Sequence, residues 1–147
     1  MSVEKITTIS PNTNEPVLER NGASQADLEL LPKVATEAFQ KFRKTTLKER
    51  QEIVQKFLKS LSDHESELAE ELTVQMGRPI AFTGKEISTA VKRAEYLLKI
   101  SDEVLKDTDG EAEKGFKRFI RKVPVGPVLV IFAWNVRGLA FLKLLSL

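Results

Sequence analysis

The sequence contains no cysteine, and only one histidine, one tryptophan and one tyrosine among 147 residues. Without cysteine there is no disulfide, no thiolate metal ligand and no cysteine nucleophile. His64 has no second imidazole or thiol to share an ion with, so no metal site is expected. An excess of one charge is missing too: 23 Lys and Arg stand against 21 Asp and Glu, a net +2. Such a balance supplies no general field for nucleic acid or a membrane surface, and neither is expected as a partner. No apolar run reaches the roughly 18 residues of a membrane span. The opening "MSVEKITTISPNTNEP" lacks the apolar core with basic flank of a secretory signal. A cytoplasmic protein is the expectation.

What is present is an ordinary globular composition, 41% hydrophobic and 30% charged, of one-domain length. Residues 1–23 mix turn formers (Ser10, Pro11, Asn12, Asn14, Pro16) with short β-prone pieces, which predicts an extended arm. Residues 24–107 read as a helical layer. Leu28, Leu31, Val34, Ala35, Ala38, Phe39 and Phe42 recur at three-to-four spacing, the pattern of one buried helix face. Pro32 is tolerated there if the helix starts near Asp27 or later. Thr46 with Glu49 has the capping-box spacing, and Ile53, Phe57, Leu58 and Leu61 follow as a core stripe. The same spacing recurs at Ser62 with Glu65 and at Thr83 with Glu86, which predicts helix starts there. Gly77, followed by Pro79, predicts a helix stop. Ile87, Val91, Ala94, Leu98 and Leu105 then mark a fourth helix, giving an antiparallel layer of about four.

"DTDGEAEKG" reads as a loop, after which residues 116–135 read as two strands. "FKRFIRKV" is basic and β-prone, and its charges suit a solvent-facing edge better than a nucleic-acid strip, which needs stacking platforms on a second strand. "PVLVIFAW" is a continuous apolar run of strand length, as in a parallel strand buried on both faces. The tail, residues 136–147, reads as a short apolar segment unrelated to what precedes it.

Few residues offer chemistry. His64 reads as a solvated helix-start residue and "DHESELAEE" as a solvated helix face. Gly77 with Arg78 and Gly84 with Lys85 lack the preceding strand and the spacing of a phosphate loop. Asn135 ends the apolar strand, and in open α/β sheets the ligand crevice lies beyond the carboxyl ends of strands. A side-chain amide there either donates to a developing oxyanion or serves as an ordinary turn or cap residue.

Taken in order, the motifs resemble those of the aldehyde dehydrogenase family. "ISPNTNEPV" resembles its opening of the type N-P-x-T-G-E, and "AFQKFRKTTLKERQEIVQKFLKSL" its helix pair with a central S/T-x-x-E-R. "ELAEELTVQMGRPIAFTGKEI" is similar to its E-L-x-x-x-E-T-G-K-P segment, and "RKVPVGPVLVIFAWN" to the strand pair R-x-P-V-G-V-V-x-x-I-x-P-W-N. The wording "QMGRPI" and "FAWN" is most similar to a fungal branch labelled succinate-semialdehyde dehydrogenase-like. The resemblance implies an α/β fold with a Rossmann-like cofactor domain, of which this chain is a mostly α amino-terminal fragment. It further implies NAD or NADP as cofactor, an aldehyde as substrate, and a homo-oligomer, dimer or tetramer. By its motif, Asn135 would stabilise the thiohemiacetal oxyanion, and Phe132, Ala133 and Trp134 would contact the cofactor. Ala133 departs from the proline of many members.

After Asn135 the motif match stops, and the lysine-bearing strand, glutamate base and cysteine nucleophile that the resemblance implies do not follow. Codons for Val136 and Arg137 can spell a splice donor, so a read-through intron or a frameshift is one account of the tail, and a truncated paralogue another. Two functions stand at this point. One is a fragment of an aldehyde dehydrogenase that is inactive alone; the other is a non-catalytic interaction module pairing with a full-length subunit.

Overall fold

The computed structural model describes residues 4–131. The arm is a hairpin: β1 (Lys5–Ile9) pairs antiparallel with β2 (Pro16–Asn21), from Lys5 opposite Asn21 to Ile9 opposite Pro16, with an irregularity between Thr8 and Ile9. Pro16 stands at the first position of its strand, where the missing N–H costs no ladder bond. The connecting turn is closed by Asn14 N–H to Ser10 O (2.8 Å) and Ser10 N–H to Glu15 O (2.9 Å), with Asn14 at φ 59°. Asparagine tolerates that left-handed backbone better than most residues.

Four helices follow, as the periodicity predicts: α1 (Gln25–Phe42), α2 (Leu47–Asp63), α3 (Glu65–Met76) and α4 (Ile80–Leu105). Thr46 caps α2 as a full capping box with Glu49. The Glu49 carboxylate accepts from the Thr46 backbone N–H (2.7 Å) and hydroxyl (2.8 Å), and these bonds hold it below the usual carboxylate range. Gly77 ends α3 at φ 70°, donating its N–H to Thr73 O.

Three expected features differ. A further capping box, Ser24 with Asp27, starts α1 at Gln25, so Pro32 lies inside the helix rather than in its first turn. Ser62 caps nothing: α2 runs on to Asp63, and His64, exposed, joins α2 to α3 with its Nδ1 against Ser60 O at 2.8 Å. Thr83 is likewise no helix start. The turn at Gly77 and Pro79 launches α4 at Ile80, and Thr83 Oγ1 bonds back to Ile80 O (3.0 Å) from a fully buried position.

The core sits between α2 and α4. Leu58, Ala90 and Ala94 are buried together, with Val54, Phe57, Leu61 and Leu98 packed around them. Two alanines on α4 let the helices approach closely, and α2 turns Val54 rather than the expected Ile53 inward, leaving Ile53 exposed. Gln51 Nε2 ties the far end of the pair to Ser101 Oγ (2.8 Å) and Asp102 (3.2 Å). α3 packs on the first half of α4 with Ala69 and Ile87 buried. The expected buried face of α1 is largely open: no residue of the helix is buried, Ala35 and Phe39 are half-buried, and Leu28, Leu31, Val34, Ala38 and Phe42 are exposed.

Two short strands come after the helices. β3 (Thr108–Asp109) pairs antiparallel with β4 (Phe119–Ile120), so the partner of the basic strand comes from the segment read as a loop. Asp107 accepts from Nε and one terminal nitrogen of the Arg121 guanidinium (2.7–3.1 Å), which pulls its carboxyl below its ordinary range, while Arg121 also lies 4.8 Å from the Phe119 ring centroid. Of the run 127–134 expected as a buried strand, residues 132–134 lie outside the described residues; 127–131 carry no ladder among the described residues, and Val128, Leu129 and Ile131 are exposed. A parallel strand needs neighbours on both edges, and no described segment offers them.

Candidate functional site

Asn135, Phe132, Ala133 and Trp134 lie outside the described residues, so the structure does not position them. Their immediate approach, residues 127–131, is the described part of the apolar run and carries no ladder among the described residues. No group of three or more His, Asp or Glu among the described residues could hold a metal ion.

The polar chemistry that the fold does assemble lies where the arm meets the α3–α4 turn. Ser10 and Thr83 are fully buried, and Glu86 is buried with its side chain 3% exposed. Arg78 reaches across the turn and donates from its guanidinium to Glu86 Oε2 at 2.6 Å; the other carboxylate oxygen, Oε1, has no hydrogen-bond partner among the described residues. Asn12 Nδ2 approaches Thr73 O at 3.4 Å, and Pro11 sits so close to Gly77 that a Cβ there would come within 2.7 Å of its ring. Gly77 is therefore required twice, by its backbone angle and by the close approach of the arm.

Sequence reasoning assigned Glu86 to a cap and so missed this pair. The signal was present: Glu86 lies four and eight residues before Ala90 and Ala94, on the face of α4 that packs. A carboxylate at that spacing needs a cation, and Arg78 on the other side of the turn supplies it.

An open groove of about 550 Å3 runs between α2 and α4, lined among others by Gln51, Gln55, Lys59, Glu95, Lys99 and Asp102. Charges of both signs alternate along it, and no glycine loop or helix N-terminus faces in, so it is a solvated seam between helices.

The model of the aldehyde dehydrogenase family matches residues 1–143. This chain belongs to the aldehyde dehydrogenase family. The match runs eight residues past Asn135, into the segment expected to be unrelated. The 3-sulfolactaldehyde dehydrogenase of Pseudomonas putida is 25% identical over 136 residues, 91% of this chain and 28% of that protein. The NADP+ succinate-semialdehyde dehydrogenase of Mycobacterium avium is 29% identical over 133 residues, 88% of this chain and 28% of that one. Among solved structures, succinic semialdehyde dehydrogenase from Streptococcus pyogenes, in complex with NADP+, superposes with a TM-score of 0.84 at 25% identity, over 93% of this chain and 30% of its own. The chain thus spans less than a third of the length of these relatives, and has the fold of the corresponding segment of an α/β aldehyde dehydrogenase.

The described residues do not fit the dinucleotide that such relatives use. A pyrophosphate needs a glycine-rich strand-to-helix turn with free N–H groups. Here α4, the helix that follows the Gly77 turn, is entered from α3 through Pro79, with no strand leading into it.

Proposed function

We propose that this chain supplies the amino-terminal part of an enzyme that oxidises an aldehyde to a carboxylic acid with NAD+ or NADP+, and that by itself it is inactive. The observation that carries this reading is the family match along residues 1–143, on a chain without cysteine. Addition of a thiolate to the aldehyde carbon converts the carbonyl oxygen to an oxyanion, and only a residue outside this chain can be that thiolate. Asn135 is the residue we assign to the oxyanion. Its amide donates to the charged oxygen, an interaction worth about 3 kcal/mol when preorganised. Phe132, Ala133 and Trp134 are assigned to the wall against which the cofactor lies. The dinucleotide, bound by the intact enzyme, supplies the hydride acceptor.

Residues 24–107 would then form a helical layer over a Rossmann-like domain that residues 116–135 enter, in a cytoplasmic homo-oligomer. Replacing the matching segment of the Streptococcus pyogenes enzyme with residues 1–135 tests the assignment. The chimera is expected to reduce NADP+ with succinic semialdehyde, and Asn135→Ala in it to lower kcat by roughly 100- to 1,000-fold. Turnover of an aldehyde by the 147-residue chain alone, or full activity of the Asn135→Ala chimera, would sink the reading.

A further inference from the structure

We propose that Asn21 is a site of spontaneous deamidation, and that the β1–β2 hairpin sets its rate by holding the Gly22 amide that does the chemistry. Asn21 is the one asparagine of the chain with a glycine after it, and it is exposed at the end of β2. A following residue without a side chain leaves its backbone nitrogen open to the preceding carboxamide. The packing of the hairpin favours that glycine: a Cβ at position 22 would lie 3.1 Å from Glu4 O, closer than an ordinary van der Waals contact. The dipeptide that lets the arm close is therefore also the one that reacts.

In the reaction the Gly22 nitrogen, after losing its proton to solvent, bonds to Asn21 Cγ; the Cγ–Nδ2 bond breaks, and Nδ2 leaves as ammonia with a proton from water. The succinimide so formed takes up water at either carbonyl. Opening at Cγ gives aspartate, and opening at the main-chain carbonyl gives isoaspartate, whose backbone is one methylene longer. One water is consumed for each ammonia released, and nothing is oxidised or reduced. In the closed hairpin Gly22 N–H donates to Glu4 O at 2.7 Å, which holds the proton, and the register that sets Lys5 opposite Asn21 keeps this strand end extended. Attack therefore requires the last rung of the ladder to open, and strand ends are among the parts of a fold that open at least cost. The longer backbone of isoaspartate does not restore that rung in register, so the product leaves the arm unzipped at its open end. The second hairpin repeats the arrangement at Asp109 and Gly110, whose N–H donates to Arg118 O at 3.0 Å. An ionised carboxylate is a poorer target for a nucleophile than an amide, so Asn21 is the faster site.

Ageing the full 147-residue chain in mildly alkaline buffer, with and without guanidinium chloride, tests the site. Digests are read by mass spectrometry for aspartate and isoaspartate at position 21. Conversion is expected to run at least about tenfold faster in denaturant, where the rung is open. Ile6→Pro, which interrupts β1, is expected to bring the rate in buffer close to the rate in denaturant. Gly22→Ala is expected to slow conversion several-fold in denaturant, a readout that does not depend on whether the variant folds. Equal rates with and without denaturant would remove the hairpin's control and overturn the proposal. So would no conversion at position 21 in denaturant, or conversion at Asn12 and Asn14 as fast as at Asn21.

Discussion

α1 and α2 are nearly twins as sequences. They are 18 and 17 residues long, each opens with a capping box, and each carries apolar residues at helical spacing. Their surroundings are opposite: Leu58 of α2 is 5% exposed against the alanines of α4, whereas Leu31 of α1 is 60% exposed. Periodicity therefore reports that a helix has a face to bury, not that the face has found a partner. The α2–α4 pair buries its facing residues; α1 buries none.

The sharpest way to break this comparison is to truncate the two leucines. Leu58→Ala is expected to lower stability by about 2–5 kcal/mol, through lost transfer energy and the cavity left between α2 and α4. Leu31→Ala in the isolated chain should cost less than about 0.5 kcal/mol. Urea denaturation of both variants checks the contrast, and equal losses would mean that α1 is packed after all.

Next in size is the buried pair beside the arm. Arg78→Met strands the Glu86 carboxylate and is expected to cost about 2 kcal/mol, less than a fully buried pair because Arg78 is 42% exposed. The double variant Arg78→Met, Glu86→Leu should recover most of that loss, and a cycle showing simple additivity would remove the pair from the account. Gly77→Ala follows at about 1–2 kcal/mol, since a Cβ strains φ 70° and meets Pro11. Its signature is faster exchange at the Ser10–Glu15 turn than in α2.

The smallest effects separate true caps from spacings that only look like caps. Thr46→Ala should cost about 1 kcal/mol, Ser62→Ala almost nothing. A pH titration adds a sign. Asp27 and Glu49 are both held below the ordinary carboxylate range by their capping bonds, Asp27 chiefly by the Ser24 hydroxyl. Their contribution is complete above the unfolded pKa of about 4 and is lost as pH falls through the lowered folded values. Circular dichroism below pH 4 should show helix loss that is reduced in Thr46→Ala, where the Glu49 interaction is already gone.

Much of this was legible in residues: the four helices, the stop at Gly77, the cap at Thr46, and the family through its motif order. The misreadings have physical causes. Ser24 and Asp27 satisfy the same reciprocal geometry as Thr46 and Glu49, but proline disfavours a helix interior, so Pro32 argues for a later start than the one the cap sets. Thr83 and Glu86 have cap spacing, yet Pro79 had already begun the helix, and burial gave both residues other partners. The strand partner of Phe119–Ile120 was hidden because a two-residue ladder has no periodicity to detect. The candidate site at Asn135 was legible only through motif resemblance, and residues 132–135 lie outside the described structure.

By itself the sequence determined the local elements, whose causes are all within a few residues: hydroxyl and carboxylate three apart, a glycine at a left-handed turn, apolar residues on one helix face. It also determined, by the absence of cysteine, that no thiolate chemistry belongs to this chain. Only the tertiary structure decided which faces are satisfied. Burial depends on what stands opposite: α4 packs against α2 and α3, whereas no residue of α1 is buried.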